Sequence, residues 1–209
     1  MSRHVWTPHD TSDTSGPDAL LRAYLEQRDV RRCLRDASTL RPIATACDVG
    51  CGYGRLTPVL AEFAREVTGF ERESHLVAEA TRLQPGLRFA SVESLSRLPA
   101  GDGAFGFAMT FTVLQHLGDS EARDVIAEIQ RVAGSGGILL VEETDPALCD
   151  GDRQRPERGL TVGRPVETYV EWMSPQPLVR RFPREIEPGY ARRDVGTYML
   201  FGPARASRA

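Results

Sequence analysis

The chain has 209 residues, 41% hydrophobic and 26% charged, with a formal net charge of -3, enough for one domain with a substantial core. No run of about 20 apolar residues occurs and the opening segment is polar, so neither a membrane span nor a secretory leader is expected, and the cytoplasm is the default location. All 26 basic residues are arginine and asparagine is absent, which excludes Schiff-base chemistry, a phosphate-loop lysine and N-glycosylation.

In chain order, Leu20, Leu21, Tyr24, Leu25, Val30, Cys33 and Leu34 fall near helical spacing and predict a leading amphipathic helix over residues 19–34. A short strand is expected at 45–49, and Leu56, Val59, Leu60 and Phe63 predict a helix over 55–65. The alternation then repeats, with a strand at 66–70, a helix at 74–83 stopped by Pro85-Gly86, and strands at 87–91 and 105–110. Residues 120–132 read as a helix with Ser120 as N-cap, closed by the glycines at 134–137 before a strand at 138–143.

The C-terminal part differs in charge: residues 151–209 hold 11 arginines against 7 acids, whereas residues 1–150 hold 15 against 22. It predicts a helix over 166–173 opened by Pro165, then two strands, 178–186 and 197–201, joined around Pro188-Gly189. The whole order implies an α/β fold, Rossmann-like and doubly wound, with a mostly parallel seven-stranded sheet and an antiparallel C-terminal hairpin edge. One domain is expected, divided into an N-terminal segment and lid-like helix (1–40), a core (41–146) and an insertion with the terminal hairpin (147–209). Cys33, Cys47, Cys51 and Cys149 form no CxxC pair and the four histidines are scattered, so reduced thiols and no metal site are expected.

Ligands in such sheets bind outside the carboxyl ends of the strands. There the chain reads Asp48-Val-Gly-Cys-Gly-Tyr-Gly54, between a predicted strand and a predicted helix. Glycines let the backbone turn sharply and bare main-chain N–H groups to a ligand. Their spacing at 50, 52 and 54 puts Arg55 where a dinucleotide fingerprint needs its third glycine, which disfavours a nicotinamide oxidoreductase. Asp48 suits a cationic group, and Glu71, ending the second strand, is placed to accept hydrogen bonds from a ribose.

DVGCGYGRLTPVLAE, VTGFERE, LPAGDGAFGFAMTFTVLQHL and IAEIQRVAGSGGILLVEETDP, in that order, resemble the successive motifs of class I S-adenosylmethionine-dependent methyltransferases of the small type 11 sort. The resemblance implies a Rossmann-like domain that binds S-adenosylmethionine and releases S-adenosylhomocysteine. By position it implies that Asp48, Gly50, Cys51 and Gly52 line the methionine part of the donor, that Glu71 holds the ribose, and that Arg72 lies along the adenine. Ser91, Val92 and Glu93 match the adenine-edge segment, and Thr110, Phe111 and Gln115 match the turn beneath the donor's amino group and sulfur. Ser91 stands where such enzymes commonly have an acid, and Gly106 where an aspartate is frequent.

A sulfonium donor carries its own leaving group, so alignment and exclusion of water dominate the chemistry and a general base is optional. His116, beyond the fourth strand, is the first candidate base; its alternative is a packed histidine bonded to backbone. Glu142, Glu143 and Asp145 offer an acid that orients or deprotonates an acceptor, or else caps loops; Glu143 is the second candidate catalytic residue. Trp6, Tyr24 and Arg28 are lid candidates against a reading as ordinary packing and a solvated arginine. The acidic balance and the lack of a basic-aromatic stripe exclude nucleic acid as partner, leaving a small-molecule or peptide acceptor. Oligomeric state is not legible. A cyclase or a noncatalytic partner subunit with the same pocket is the alternative.

Overall fold

The structure is a computed structural model and describes residues 17–146, 161–184 and 196–203. Its elements are α1 (Pro17–Leu40), β1 (Thr45–Val49), α2 (Thr57–Ala61), β2 (Glu66–Glu71), α3 (Ser74–Leu83) and β3 (Arg88–Ser91). There follow β4 (Phe107–Phe111), a 3-10 turn (Leu114–His116), α4 (Asp119–Ala133), β5 (Gly137–Glu142), α5 (Val166–Trp172), β6 (Leu178–Pro183) and β7 (Thr197–Phe201).

The seven strands form one sheet in the order β3-β2-β1-β4-β5-β7-β6. The first five are parallel, while β7 runs antiparallel to both β5 and β6. This is the expected doubly wound sheet with a hairpin edge, although the residues joining the hairpin, Pro188-Gly189 included, lie outside those described.

Strand alternation sorts the side chains into two cores. On β4 and β5, Phe107, Met109, Phe111, Leu139 and Val141 face the layer of Val30, Cys33, Leu34 and Ala37 from α1 with Leu56, Val59 and Leu60. Ala108, Ile138 and Leu140 face the opposite layer, built on Ala122, Val125, Ile126, Ile129 and Val132 of α4. Each fully buried aliphatic side chain contributes about 1.5–3 kcal/mol relative to exposure, so both faces of the sheet are anchored.

Several boundaries differ from the sequence reading: α1 runs from Pro17 to Leu40 where 19–34 is expected, and three others have a visible cause. The helix expected at 55–65 spans only Thr57–Ala61, because Gly54 with positive φ precedes it and Arg55 reaches across to α1. The fourth strand starts at Phe107, since the Phe105 N–H donates to the Val132 carbonyl instead of the sheet. Ser120 is not the cap of α4: Gly118 takes that position without a side-chain hydrogen bond, and Asp119 in the first turn accepts from Arg164. Among the described residues no helix is long and apolar enough to cross a membrane.

Candidate active site

The chain builds β1, β2 and β3 outward on one side of β1 and then returns to place β4 on the other. Connections from β1 and β4 therefore leave in opposite directions and open a crevice at their carboxyl ends.

One wall of that crevice is the glycine turn. Gly50 and Cys51 N–H groups both donate to the Phe70 carbonyl, at 2.8 and 3.1 Å, which ties the turn to β2. Gly50, Gly52 and Gly54 have φ of 75, 56 and 79°, a region that side chains strongly disfavour. Space is limiting too: a Cβ on Gly50 would lie 2.5 Å from a methyl of Val113, and one on Gly54 2.9 Å from the Phe89 ring.

Glu71 clasps this turn. Its Oε2 accepts the Gly52 N–H at 2.9 Å, and its Oε1 accepts the N–H groups of Arg72 and Glu73 at 2.6 and 3.0 Å. A carboxylate offers about four lone-pair sites, so one on Oε2 stays open to a further donor. Asp48 lies one layer below, 2% exposed, with Oδ2 accepting the Thr57 hydroxyl at 2.7 Å. Burial pushes its carboxyl up to about 7; the Thr57 bond opposes this and the neighbouring Glu71 charge adds to it.

The second wall follows β4. Thr112 has φ of 56° and donates its N–H to the Val141 carbonyl at 2.7 Å, swinging Val113 over Gly50. Beneath the loop Glu142, 0% exposed, accepts the N–H groups of Val113 and Gln115 at 3.2 and 3.1 Å. Burial raises its carboxyl to about 7, against the pull of those N–H groups and of Arg164. The Gln115 side chain accepts the Glu143 N–H at 3.0 Å and lies 3.4 Å from His116 Nε2. The Thr110 hydroxyl is buried with no protein partner.

Backbone, glycine cradle and the three buried carboxyls of Asp48, Glu71 and Glu142 thus frame the crevice between β1 and β4. The methyltransferase-domain family matches residues 47–141, the stretch that builds both walls. Over that stretch the chain is similar to S-adenosylmethionine-dependent methyltransferase domains.

A demethylmenaquinone methyltransferase of Beutenbergia cavernae is 30% identical over 145 residues, covering 65% of this chain and 58% of that protein. The chain spans about half the length of the curated relatives it matches. The same fold occurs in the N-methyltransferase NodS of Bradyrhizobium japonicum bound to S-adenosylhomocysteine, with a TM-score of 0.66, 16% identity, and coverage of 90% of this chain and 89% of that one. It also occurs in the [4+2]-cyclase SpnF, with a TM-score of 0.63, 19% identity, and coverage of 85% and 81%.

Around this crevice the remaining expected residues fall as follows. Val92 donates its N–H to the Glu71 carbonyl at 3.0 Å, and Ser91 and Glu93 beside it are exposed at the edge of the crevice. Arg72 is half-buried, 3.8 Å from Glu73 and 3.7 Å from Glu121. The Cys51 thiol packs against Gly69, and burial keeps it protonated. The Phe111 ring turns away into the α1-side core, flanked by the guanidinium groups of Arg55 and Arg184 at 5.7 and 4.9 Å, so only its backbone borders the crevice. Glu143 is buried and its Oε1 accepts the N–H groups of Thr144 and Asp145, both at 2.9 Å; burial raises its carboxyl.

Two features escaped the sequence reading. Glu26 of α1 takes hydrogen bonds from Arg22, Arg55 and Arg184, uniting the first helix, the glycine turn and the end of β6. Its burial opposes ionisation, but the three arginines outweigh that and hold its carboxyl down at about 2. Arg164, from just before α5, reaches the carbonyls of Leu114 and Leu117 and the carboxylate of Asp119. Among the described residues no group of three His, Cys, Asp or Glu side chains could hold a metal ion.

Proposed function

We propose that this chain transfers the methyl group of S-adenosylmethionine, by in-line displacement, to a nitrogen, oxygen or carbon of a small-molecule or peptide acceptor. The observation that carries this reading is Glu71, held by the Gly52 N–H at 2.9 Å with an acceptor site still open, beside a turn whose Gly50 and Gly54 leave no room for a Cβ. That pairing suits a ribose hydroxyl against a chain bent to admit an adenosyl group. When bound, the donor supplies an electrophilic methyl on a sulfonium whose departing group is a neutral thioether.

The chain's own residues have defined parts in this reading. Asp48, Gly50, Cys51 and Gly52 receive the methionine end, and the buried Asp48 carboxyl gains a cationic partner. Glu71 and Arg72 hold the ribose and adenine side, with Ser91, Val92 and Glu93 along the adenine edge. Thr110, Phe111 and Gln115 contribute from beneath the amino group and sulfur, where the buried Thr110 hydroxyl has a hydrogen bond to give. His116, beside Gln115, is the candidate base, and Glu143 the candidate for orienting the acceptor. Residues 147–209 are assigned to the acceptor side and the first helix to cover.

Calorimetric titration with S-adenosylmethionine and S-adenosylhomocysteine tests the donor site. Gly52→Asp and Glu71→Ala should each weaken affinity at least about tenfold, the size of one charge-assisted hydrogen bond, while the fold survives. Absence of heat with the unaltered protein overturns the reading. A screen of acceptors by added methyl mass and by S-adenosylhomocysteine release then separates transfer from a cyclase or a noncatalytic partner. With an acceptor in hand, His116→Ala should lower turnover more than donor affinity; unchanged turnover rejects the base.

A further inference from the structure

We infer that Glu142 and Arg164 are positioning residues that together brace the loop after β4 and set its distance from the glycine turn. The inference rests on the donor-site reading for its purpose, while the brace itself is visible in the geometry.

The loop is not at rest on its own terms. Thr112 is β-branched and lies at φ 56°, a conformation that persists only where surrounding contacts enforce it. The 3-10 turn that follows is three residues long and leaves N–H groups at its start and carbonyls at its end without intrahelical partners.

Two buried side chains, one carboxyl and one guanidinium, meet those groups. Glu142 takes the N–H groups of Val113 and Gln115 from the β5 side. Arg164 gives Nη1 to the Leu114 carbonyl at 2.9 Å, Nη2 to the Leu117 carbonyl at 2.6 Å and Nε to Asp119 at 2.9 Å. Acceptor oxygens thus stand at the start of the turn and guanidinium donors at its end, where the turn leaves N–H groups and carbonyls unpaired.

Arg164 is itself fixed. Its guanidinium lies 5.4 Å from the Trp172 ring centroid, and its own N–H donates to the Glu143 carbonyl at 3.2 Å. Next to it the Val162 N–H donates to the Gln115 carbonyl at 2.7 Å, so the segment that returns after residue 160 is stitched along the loop.

The consequence passes to the crevice through Val113, which sits where a Cβ on Gly50 would be, and through Gln115, which contacts Glu143 and His116. Releasing either end of the turn lets Thr112 relax and moves Val113 off the glycine turn. Glu142 is then a support for the loop, not a group that meets the acceptor.

Glu142→Gln puts an amide donor against an N–H, and Arg164→Lys replaces a three-pronged fork by a single point charge. In both, amide exchange at residues 113–117 should quicken at least about tenfold while strands β1 and β5 keep their protection. S-adenosylhomocysteine should bind about tenfold more weakly to each variant. Ile129→Val, which costs stability in the α4 core away from the loop, should leave both readings unchanged.

Unchanged loop exchange in either variant overturns the brace. Quicker exchange with unaltered affinity overturns the positioning role. If the unaltered protein binds no S-adenosylhomocysteine, the donor reading fails, and loop exchange alone decides whether the brace stands.

Discussion

Beside β1 and β2 the crevice is shaped by main chain: three glycines at positive φ, paired N–H groups on one carbonyl, and a carboxylate whose three donors are all backbone amides. Beside β4 and β5 it is shaped by buried ionisable side chains, Glu142 from within β5 and Arg164 from 50 residues beyond Leu114. The first wall is a local construction that tolerates almost no added atom. The second is assembled from distant parts of the chain and responds to charge. Substitution and pH should therefore act on the two walls differently.

The largest effect is expected in the glycine wall. Gly50→Ala imposes a left-handed conformation on a residue with a Cβ and drives that carbon to within 2.5 Å of Val113. Adding the conformational cost to overpacking gives a loss of about 2–4 kcal/mol in unfolding free energy by denaturant titration. A loss below about 0.5 kcal/mol, the ordinary scale of surface changes, would show that the turn is not confined by Val113.

Charge sensitivity should appear next, and its sign can be worked out. The Asp48 and Glu142 carboxyls are both raised to about 7, Asp48 from 3.8 and Glu142 from 4.5, with burial as the main cause. Each stabilises the fold fully when protonated below its unfolded value and loses that contribution as pH rises through about 7. The ligand-free protein should thus melt lower at pH 8 than at pH 5, by on the order of 5 kcal/mol in stability, about half from each carboxyl. A cationic ligand beside Asp48 reverses the preference, so donor binding should release a proton near neutrality and tighten as pH rises. Titrations in buffers of different ionisation enthalpy measure that proton, and Asp48→Asn should abolish it; a release that persists in this variant assigns it elsewhere.

The same contrast explains what the amino-acid order disclosed. Element order, sheet class and the glycine turn follow from periodicities of two and 3.6 and from glycine spacing, all properties of neighbours in sequence. The carboxylate of Glu71 was legible because it ends the very next strand. By contrast, Glu26 and Arg184 meet across 158 positions, and Arg164 reaches Leu114 across 50. Neither contact has a local signature, beyond the i,i+4 spacing of Arg22 and Glu26. Ser120 misled for a related reason: Arg164 recruits Asp119 into the first turn, so the helix begins one residue earlier than its best capping side chain.

A smaller effect probes the joint between the walls. Thr112 carries positive φ without being glycine, and asparagine tolerates that region better than a β-branched residue does. If the brace holds Thr112 against its own preference, Thr112→Asn should raise unfolding free energy by about 0.5–1 kcal/mol, the fraction of a left-handed penalty that asparagine avoids. The gain should shrink in Glu142→Gln, where the loop is free to relax and the strain is already gone. Equal gains in both backgrounds, measured as a double-mutant cycle, would mean that Glu142 does not sustain the turn and that the two walls are set independently.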